Sequence, residues 1–368
     1  MKVNFNRAAL AEALGLVTSI VPARTPKPIL RCVHISAGEK DVQISATDLE
    51  VGIKCAVCEV EVAKAGDVVV AADKLNAIVR ESMDDVLSFE AEEGKCDIKG
   101  SDSHFTIYGQ QAEQYPVVPG FEGESDIEMN LHQLQAAIAQ CLFATAKESS
   151  RYALNGVLWE IDGKKLSLVA TDGRRLAKVR GKLSSAAKGR MAETTIIVPA
   201  KTMGLVDRMA GSEKDIVEAK LVDNQILIKC GSVVVCSNLV EGSFPKYEDI
   251  IPKDYDKKLV LSTENVLSAV KRSALVASEE SRGIKLALDK DSIVFSCRSP
   301  ETGNSEVKLA VEYKAAPMEV GFNPQFLVDV LRVIKTEDFE LELGEKDRPG
   351  LIKSGKDFLY VLMPLNLG

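Results

Sequence analysis

The sequence predicts an α+β protein of three similar domains, each with two helices packed on antiparallel sheet. Three observations predict it. Tight hairpins of alternating apolar residues recur along the chain. Helix-period segments precede and follow each hairpin. The whole order returns at intervals near one third of the 368 residues.

The middle copy is the clearest. Val157, Trp159 and Ile161 alternate with Leu158 and Glu160, Asp162-Gly163 supplies the left-handed residues of a tight turn, and Leu166, Leu168 and Ala170 return. The return ends in a second turn, Thr171-Asp172-Gly173, followed by the paired cations Arg174 and Arg175.

From the N-terminus, Leu10, Ala13, Leu14 and Val17 fall at helical spacing after Asn6. A Pro-rich bend, Pro22 to Pro28, precedes Val33 and Ile35, the turn Gly38-Glu39, and the return Val42, Ile44, Ala46, which ends in Thr47-Asp48. Val68 to Val70 leads into a second helix with Leu75, Ile78 and Val79; strands at Leu87 to Phe89 and Phe105 to Tyr108 follow, and Tyr115-Pro116 closes the unit. In the second round Leu131, Leu134, Ile138 and Leu142 mark a helix. After the hairpin, Ile196 to Val198 leads into Leu205, Val206 and Met209, and Ile226 to Ile228 and Val233 to Val235 precede Phe244-Pro245. In the third, Leu267, Val270 and Ala274 precede the hairpin Ile284, Leu286, Leu288, Asp289-Lys290, Ile293, Phe295, Cys297. Met318 to Val320, a helix with Leu327, Val330, Leu331 and Ile334, and strands at Phe339 to Leu343 and Phe358 to Leu362 lead to Met363-Pro364. Five elements in one order, three times, are a stronger sign of duplication than any shared letters. Repeats this long are domains and not solenoid units. Linkers rich in Gly, Pro or charge, Val117 to Ser125 and Ile250 to Lys258, divide the chain into 1–122, 123–252 and 253–368.

No apolar run approaches the roughly 20 residues of a membrane span, and Met1-Lys2-Val3-Asn4 lacks the apolar core of a secretory signal, so a cytoplasmic protein with eight reduced cysteines is expected. Cys55 and Cys58 form a lone C-x-x-C on opposite faces of a strand, with no partner pair to complete a zinc site. His34, His104 and His132 lack spaced ligand or nucleophile partners, and no Gly-rich phosphate loop occurs. Asp48 and Asp172 could be imagined as a two-metal carboxylate pair; as residues of equivalent Thr-Asp turns they read more simply as turn formers. Neither a catalytic residue nor a metal or cofactor site is expected.

The net charge is −8, yet the six predicted helical segments (7–19, 74–82, 131–146, 201–210, 264–277 and 324–335) hold nine cations against five anions. Mildly positive helices on an acidic protein suit loose contact with a phosphate backbone, not sequence readout. The same charges also fit ordinary solvated helix faces.

Several motifs carry a resemblance over essentially the whole length. They are Pro28-Ile29-Leu30, Ala46-Thr47-Asp48-Leu49-Glu50, Arg151-Tyr152-Ala153-Leu154-Asn155-Gly156, Ala170 to Ala177, Phe244-Pro245 with Tyr247, and Val361 to Leu365. Through them the chain resembles the bacterial DNA polymerase III beta subunit, the sliding clamp. The resemblance implies the DNA clamp fold and a homodimer closed head to tail into a ring, with helices lining the hole around duplex DNA. It implies no enzyme activity. Partners would be the polymerase III alpha subunit, the clamp loader and repair polymerases, all through linear peptides, and no membrane. It implies a peptide cleft with one wall of Leu154, Thr171, Gly173, Arg174, Arg175, Leu176, Pro245 and Ile250 and another of Val361, Met363, Pro364 and Leu365, with a cation at its rim. DNA-facing positions would be Arg24, Lys147, Tyr152, Lys201, Arg208, Lys271 and Arg272. The dimer contact would join Phe105 and Ile107 to Leu275 and Val276, with Lys74 or Arg80 against Glu301. Two readings compete: a carboxylate- or metal-dependent nucleic-acid enzyme, and a peptide-binding scaffold that forms no ring.

Overall fold

Two helices form in each third of the chain, and the first of each pair ends the same way. The structure, a computed structural model, describes residues 1–92, 94–147, 152–277 and 283–366, with Tyr152 described by its backbone alone. The helices are Arg7–Val17 (α1), Ala72–Glu81 (α2), Leu131–Cys141 (α3), Ala200–Asp207 (α4), Thr263–Ser273 (α5) and Pro324–Val333 (α6). Side chains cap four of their starts, and at α3 Asn130 accepts from the Gln133 amide at 3.1 Å. Asn6 accepts from the Ala9 amide at 3.1 Å, Ser262 from Asn265 at 3.4 Å, and Asn323 from Gln325 at 2.9 Å, ahead of Pro324 at the first helical position.

α1, α3 and α5 each run into a single 3-10 turn, at Thr18–Ile20, Leu142–Ala144 and Ala274–Val276. The predicted helices overran these points because the apolar spacing continues through Ile20 and Ala144, both buried. The periodicity misses the hydroxyls that compete with the helix ladder. Thr18 donates to the Leu14 carbonyl at 2.7 Å, Thr145 to Leu142 at 2.8 Å and Ser273 to Val270 at 3.1 Å.

The strands fall into two compact units, and the middle third contributes to both. One unit holds Met1–Leu134, Leu183–Thr194 and Lys201–Leu239; the other holds Gln135–Lys182, Thr195–Ala200 and Val240–Gly368. In the first, a 13-stranded sheet runs from the middle third (Ile127–Asn130, Ile216–Val222, Gln225–Cys230, Val233–Asn238) directly into Val51–Val57 and on through the first third. Here α1 packs on α2. In the second unit, an eight-stranded sheet passes from Lys165–Thr171 and Arg175–Lys182 directly into Phe358–Leu362, Gly350–Ser354, Asp338–Leu343 and Lys257–Ser262. A four-stranded sheet, Gly303–Ala310, Ser292–Ser299, Ile284–Asp289 and Met318–Phe322, completes it, with α5 packed on α6.

The two joints between repeats share one register. Val51 faces Ser237 and Gly52 faces Cys236; Arg175 faces Leu362 and Leu176 faces Val361. The joining strands Val51–Val57 and Arg175–Lys182 lie where the sequence shows a turn and, at the second, a pair of cations. Both of their faces are covered over most of their length, so no clean alternation marks them. In the hairpin Gly156–Asp162 both Leu158 and Trp159 are buried, one on each face, and Gly163 takes φ +57° in the turn. Leu158, Val169, Leu176 and Val361 join Ala153, Ile197, Tyr247 and Leu351 in one apolar core.

All eight cysteines are free, and only Cys58 is exposed. Burial pushes the Cys55 thiol up to about 11 and that of Cys96 to about 12, whereas Cys58 of the C-x-x-C lies just past the end of the strand Val51–Val57 and not on its opposite face.

Candidate functional site

The site is built on the turn that closes the middle hairpin. Thr171 Oγ1 donates to the Arg175 carbonyl at 2.6 Å and accepts from the Gly173 amide at 3.1 Å; Asp172 Oδ1 accepts from the amides of Arg174 and Arg175 at 2.9 and 3.1 Å. The first third repeats this cage bond for bond, with Thr47 to the Val51 carbonyl and Leu49 amide and Asp48 to the amides of Glu50 and Val51. Both turns need a left-handed third residue, Gly173 at φ +87° and Leu49 at +79°. Glycine adopts this freely, whereas Leu49 is a strained exception. The two carboxylates are therefore turn formers in separate repeats. Among the described residues, no cluster of three or more His, Cys, Asp or Glu could hold a metal ion.

Each turn also receives the strand arriving from the next repeat. The Met363 amide donates to the Arg174 carbonyl at 3.0 Å, and the Asn238 amide to Glu50 at 2.9 Å. The tail is held one step further on, where the Leu365 amide donates to Gly321 at 2.8 Å.

Arg175 does not stand at a rim. Its side chain is only 9% exposed. Nε donates to Asp172 at 3.0 Å, Nη1 to Asp329 of α6 at 2.7 Å and Nη2 to the Phe143 carbonyl at 2.7 Å. The guanidinium lies 4.3 Å from the Phe326 ring centroid and 5.4 Å from that of Phe143. Burial opposes its charge, but the Asp329 bond, with Tyr360 and Asp172, outweighs burial, so its pKa lies above the ordinary arginine value. The cation left at the surface is Arg174.

The other expected cleft residues divide into floor and edge. Leu154, Thr171, Leu176 and Val361 are buried; Pro245, Pro364 and Leu365 are half-buried; Gly173, Ile250 and Met363 are exposed. Sequence reasoning missed Asp329, Phe326 and Phe143, which fix Arg175. An aspartate 154 positions away carries no local signal that it faces an arginine.

Of the DNA-facing expectations, Arg24, Lys147, Arg208, Lys271 and Arg272 are exposed. Arg208 and Arg272 donate back to their own helices, to Gly204 at 3.0 Å and Ser268 at 3.4 Å. Lys201 is ion-paired with Asp48 and donates to the Ile20 carbonyl at 3.2 Å, so it braces the first turn. Arg151 and the Tyr152 side chain lie outside the described residues.

At the expected dimer contact, Phe105 and Tyr108 are exposed and Ile107 half-buried. Their strand, His104–Gln110, pairs with Gly66–Ala71 only at Gln110 and Gly109, so its outer edge is open from His104 to Tyr108. Gly303–Ala310 is likewise the last strand of its sheet. Leu275 is 82% exposed, Val276 half-buried, and Glu301, Lys74 and Arg80 are at the surface.

Three family models match in succession: the DNA polymerase III beta subunit N-terminal domain at residues 1–119, its central domain at 128–246 and its C-terminal domain at 248–366. A beta sliding clamp of Pseudomonas aeruginosa is 32% identical over 370 residues, covering all of both chains. The chain belongs to the DNA polymerase III beta subunit family, the beta sliding clamps. Another member, from Caulobacter vibrioides, is 33% identical over 377 residues. The crystal structure of the Pseudomonas aeruginosa subunit aligns over all of both chains with a TM-score of 0.91 at 31% identity, and that from Thermotoga maritima with 0.91 at 25%. The threefold order is thus the three-domain clamp architecture, two helices on sheet in each domain. The function that goes with it is that of a DNA sliding clamp, and the metal-dependent and scaffold readings gain no support from these matches. No described helix is long and apolar enough to cross a membrane.

The Arg175 geometry yields a prediction. Arg175→Ala leaves Asp329 and Asp172 partly buried without their cation, and loss of about 3–5 kcal/mol in chemical denaturation is expected. A loss below about 1 kcal/mol would show the pairing to be incidental.

Proposed function

We propose that two copies of this chain close head to tail into a cytoplasmic ring around duplex DNA. The ring tethers the polymerase III alpha subunit, the clamp loader and repair polymerases through linear peptides. In this reading the domains span 1–122, 123–252 and 253–368. The observation that carries it is the end-to-end likeness to sliding clamps in both sequence and fold.

Several features support the parts. Two open strand edges, His104 to Tyr108 and Gly303 to Ala310, offer each other a backbone ladder, and Phe105, Leu275 and Val276 would be covered by it. Arg24, Lys147, Arg208, Lys271 and Arg272 are exposed on a chain of net charge −8. Cations so placed attract phosphate weakly, and a duplex held by enclosure needs no more. The floor of Leu154, Leu176 and Val361, edged by Ile250, Pro245, Met363 and Pro364, suits aliphatic and aromatic peptide anchors. Met363 adapts to different anchors, which fits one cleft serving several partners.

Loaded onto nicked circular DNA, the protein should be retained at high salt and lost on linearisation. Equal retention on linear DNA, or salt-sensitive retention on circles, would show grip and not enclosure. Met363→Asp with Pro364→Ser should weaken binding of an aliphatic-aromatic peptide at least about tenfold, the effect of a charge placed on an apolar hot spot. The dimer mass should be unchanged; unaltered peptide affinity would place the cleft elsewhere.

A further inference from the structure

The stretch that runs from the end of the middle domain into the next, residues 241–256, carries Pro245 and Ile250 of the proposed cleft, yet most of it is exposed. Within it Tyr247 alone is fully buried. Its amide neighbours do little to hold it in place. The Val240 amide anchors the start of the segment to Ile197 at 2.9 Å, and the next hydrogen bond among the described residues is that of the Tyr247 side chain itself. The phenol donates to Glu160, whose two oxygens both lie 2.8 Å away, and it accepts from Lys178 Nζ. Lys178 closes the triangle by donating to Glu160 at 3.3 Å, and its ammonium lies 4.7 Å from the Tyr247 ring centroid. Glu160 and Lys178 come from the strands Gly156–Asp162 and Arg175–Lys182, so the latch fastens the segment to the sheet that forms the cleft floor.

Packing shares this work unevenly: Phe244, Ile251 and Tyr255 lie against the same apolar core as Tyr247, but a void opens beside them. Glu248, Ile251 and Pro252 border a cavity of about 390 Å³ whose other side is Lys178, Leu351 and Leu359. The segment is therefore undercut where it leaves Tyr247. Phe244, edge-on to Tyr247 at 6.4 Å, transmits the anchor to the neighbouring Pro245. Burial, and then the Glu160 carboxylate, push the phenol's pKa up, so it remains the donor throughout the physiological range.

We infer that Tyr247, held by Glu160 and Lys178, is a positioning residue that sets one wall of the peptide cleft by fixing Pro245 and Ile250. Peptide affinity then depends on a hydrogen bond that no peptide touches. This rests on the cleft reading above. It adds that the cleft is preorganised by a polar triad, so that binding does not have to order the segment.

The test measures affinity for two peptides on the full-length protein: one with an aliphatic anchor for the Pro245–Ile250 wall, and the same peptide with that anchor changed to alanine. Tyr247→Phe keeps the ring and removes the donor. It should weaken the anchored peptide roughly tenfold and the alanine peptide less than about twofold, a coupling expected only if the latch acts through that wall. Equal losses for both peptides, or none for either, would overturn the inference. Glu160→Gln still accepts from Tyr247 and should bind the anchored peptide within about twofold of wild type, whereas Glu160→Ala should reproduce Tyr247→Phe. If Tyr247→Phe does not fold, the Glu160 pair decides: equal affinities for Gln and Ala would refute the latch. A wild-type protein that binds neither peptide would instead refute the cleft.

Discussion

Backbone ladders that cross from one repeat into the next are the constraint on which the rest depends. At each joint the strand after a Thr-Asp turn pairs antiparallel with the closing strand of the next repeat, five residues against five. At about 1 kcal/mol net per backbone hydrogen bond, such a ladder contributes on the order of 5 kcal/mol before side chains are counted. That is comparable to the whole stability of a small domain. The repeats are thus not beads on flexible linkers; within each unit the sheet is continuous through the joint. A sliding clamp has to keep its shape while polymerase and duplex pull on it, and a joint made of main chain meets that need without demanding particular side chains. This also explains how the copies can diverge so far in sequence while keeping one architecture.

The two joints differ where side chains take over. At the first, Gly52 leaves room for Val118, and a Cβ on Gly52 would come within 2.8 Å of it. At the second, Leu176 fills the same register position and faces Val361 on the floor of the proposed cleft. The polar braces differ too. Lys201 secures Asp48 at the first, while Asp329 and Asp172 share Arg175 at the second. One backbone plan therefore carries a joint sealed by its own linker and a joint with an apolar floor and exposed Met363 beside it.

Much of this was legible from residues alone. Hairpins with one clear turn, such as Gly156–Asp162 with Lys165–Thr171, announced themselves by period and by Asp162-Gly163. The helices did so as well, apart from ends where Thr18, Thr145 and Ser273 turn the ladder to 3-10. What periodicity could not show were strands covered on both faces, above all Val51–Val57 and Arg175–Lys182, which make the joints. In the site, the apolar wall residues came from resemblance and fell into one unit. The roles of the charges did not follow, because a buried cation and a rim cation look alike in sequence. Arg174 and Arg175 are adjacent, yet one is at the surface and the other is locked to an aspartate in a distant helix.

Hydrogen–deuterium exchange across the joints tests the central claim most directly. If the ladders weld the repeats together, amides paired between Val51–Val57 and Val233–Asn238, and between Arg175–Lys182 and Phe358–Leu362, should exchange only through global unfolding, among the slowest in the chain. Exchange of these amides as fast as that of the exposed loop residues 241–243 would show the joints to be hinges, and would contradict the account.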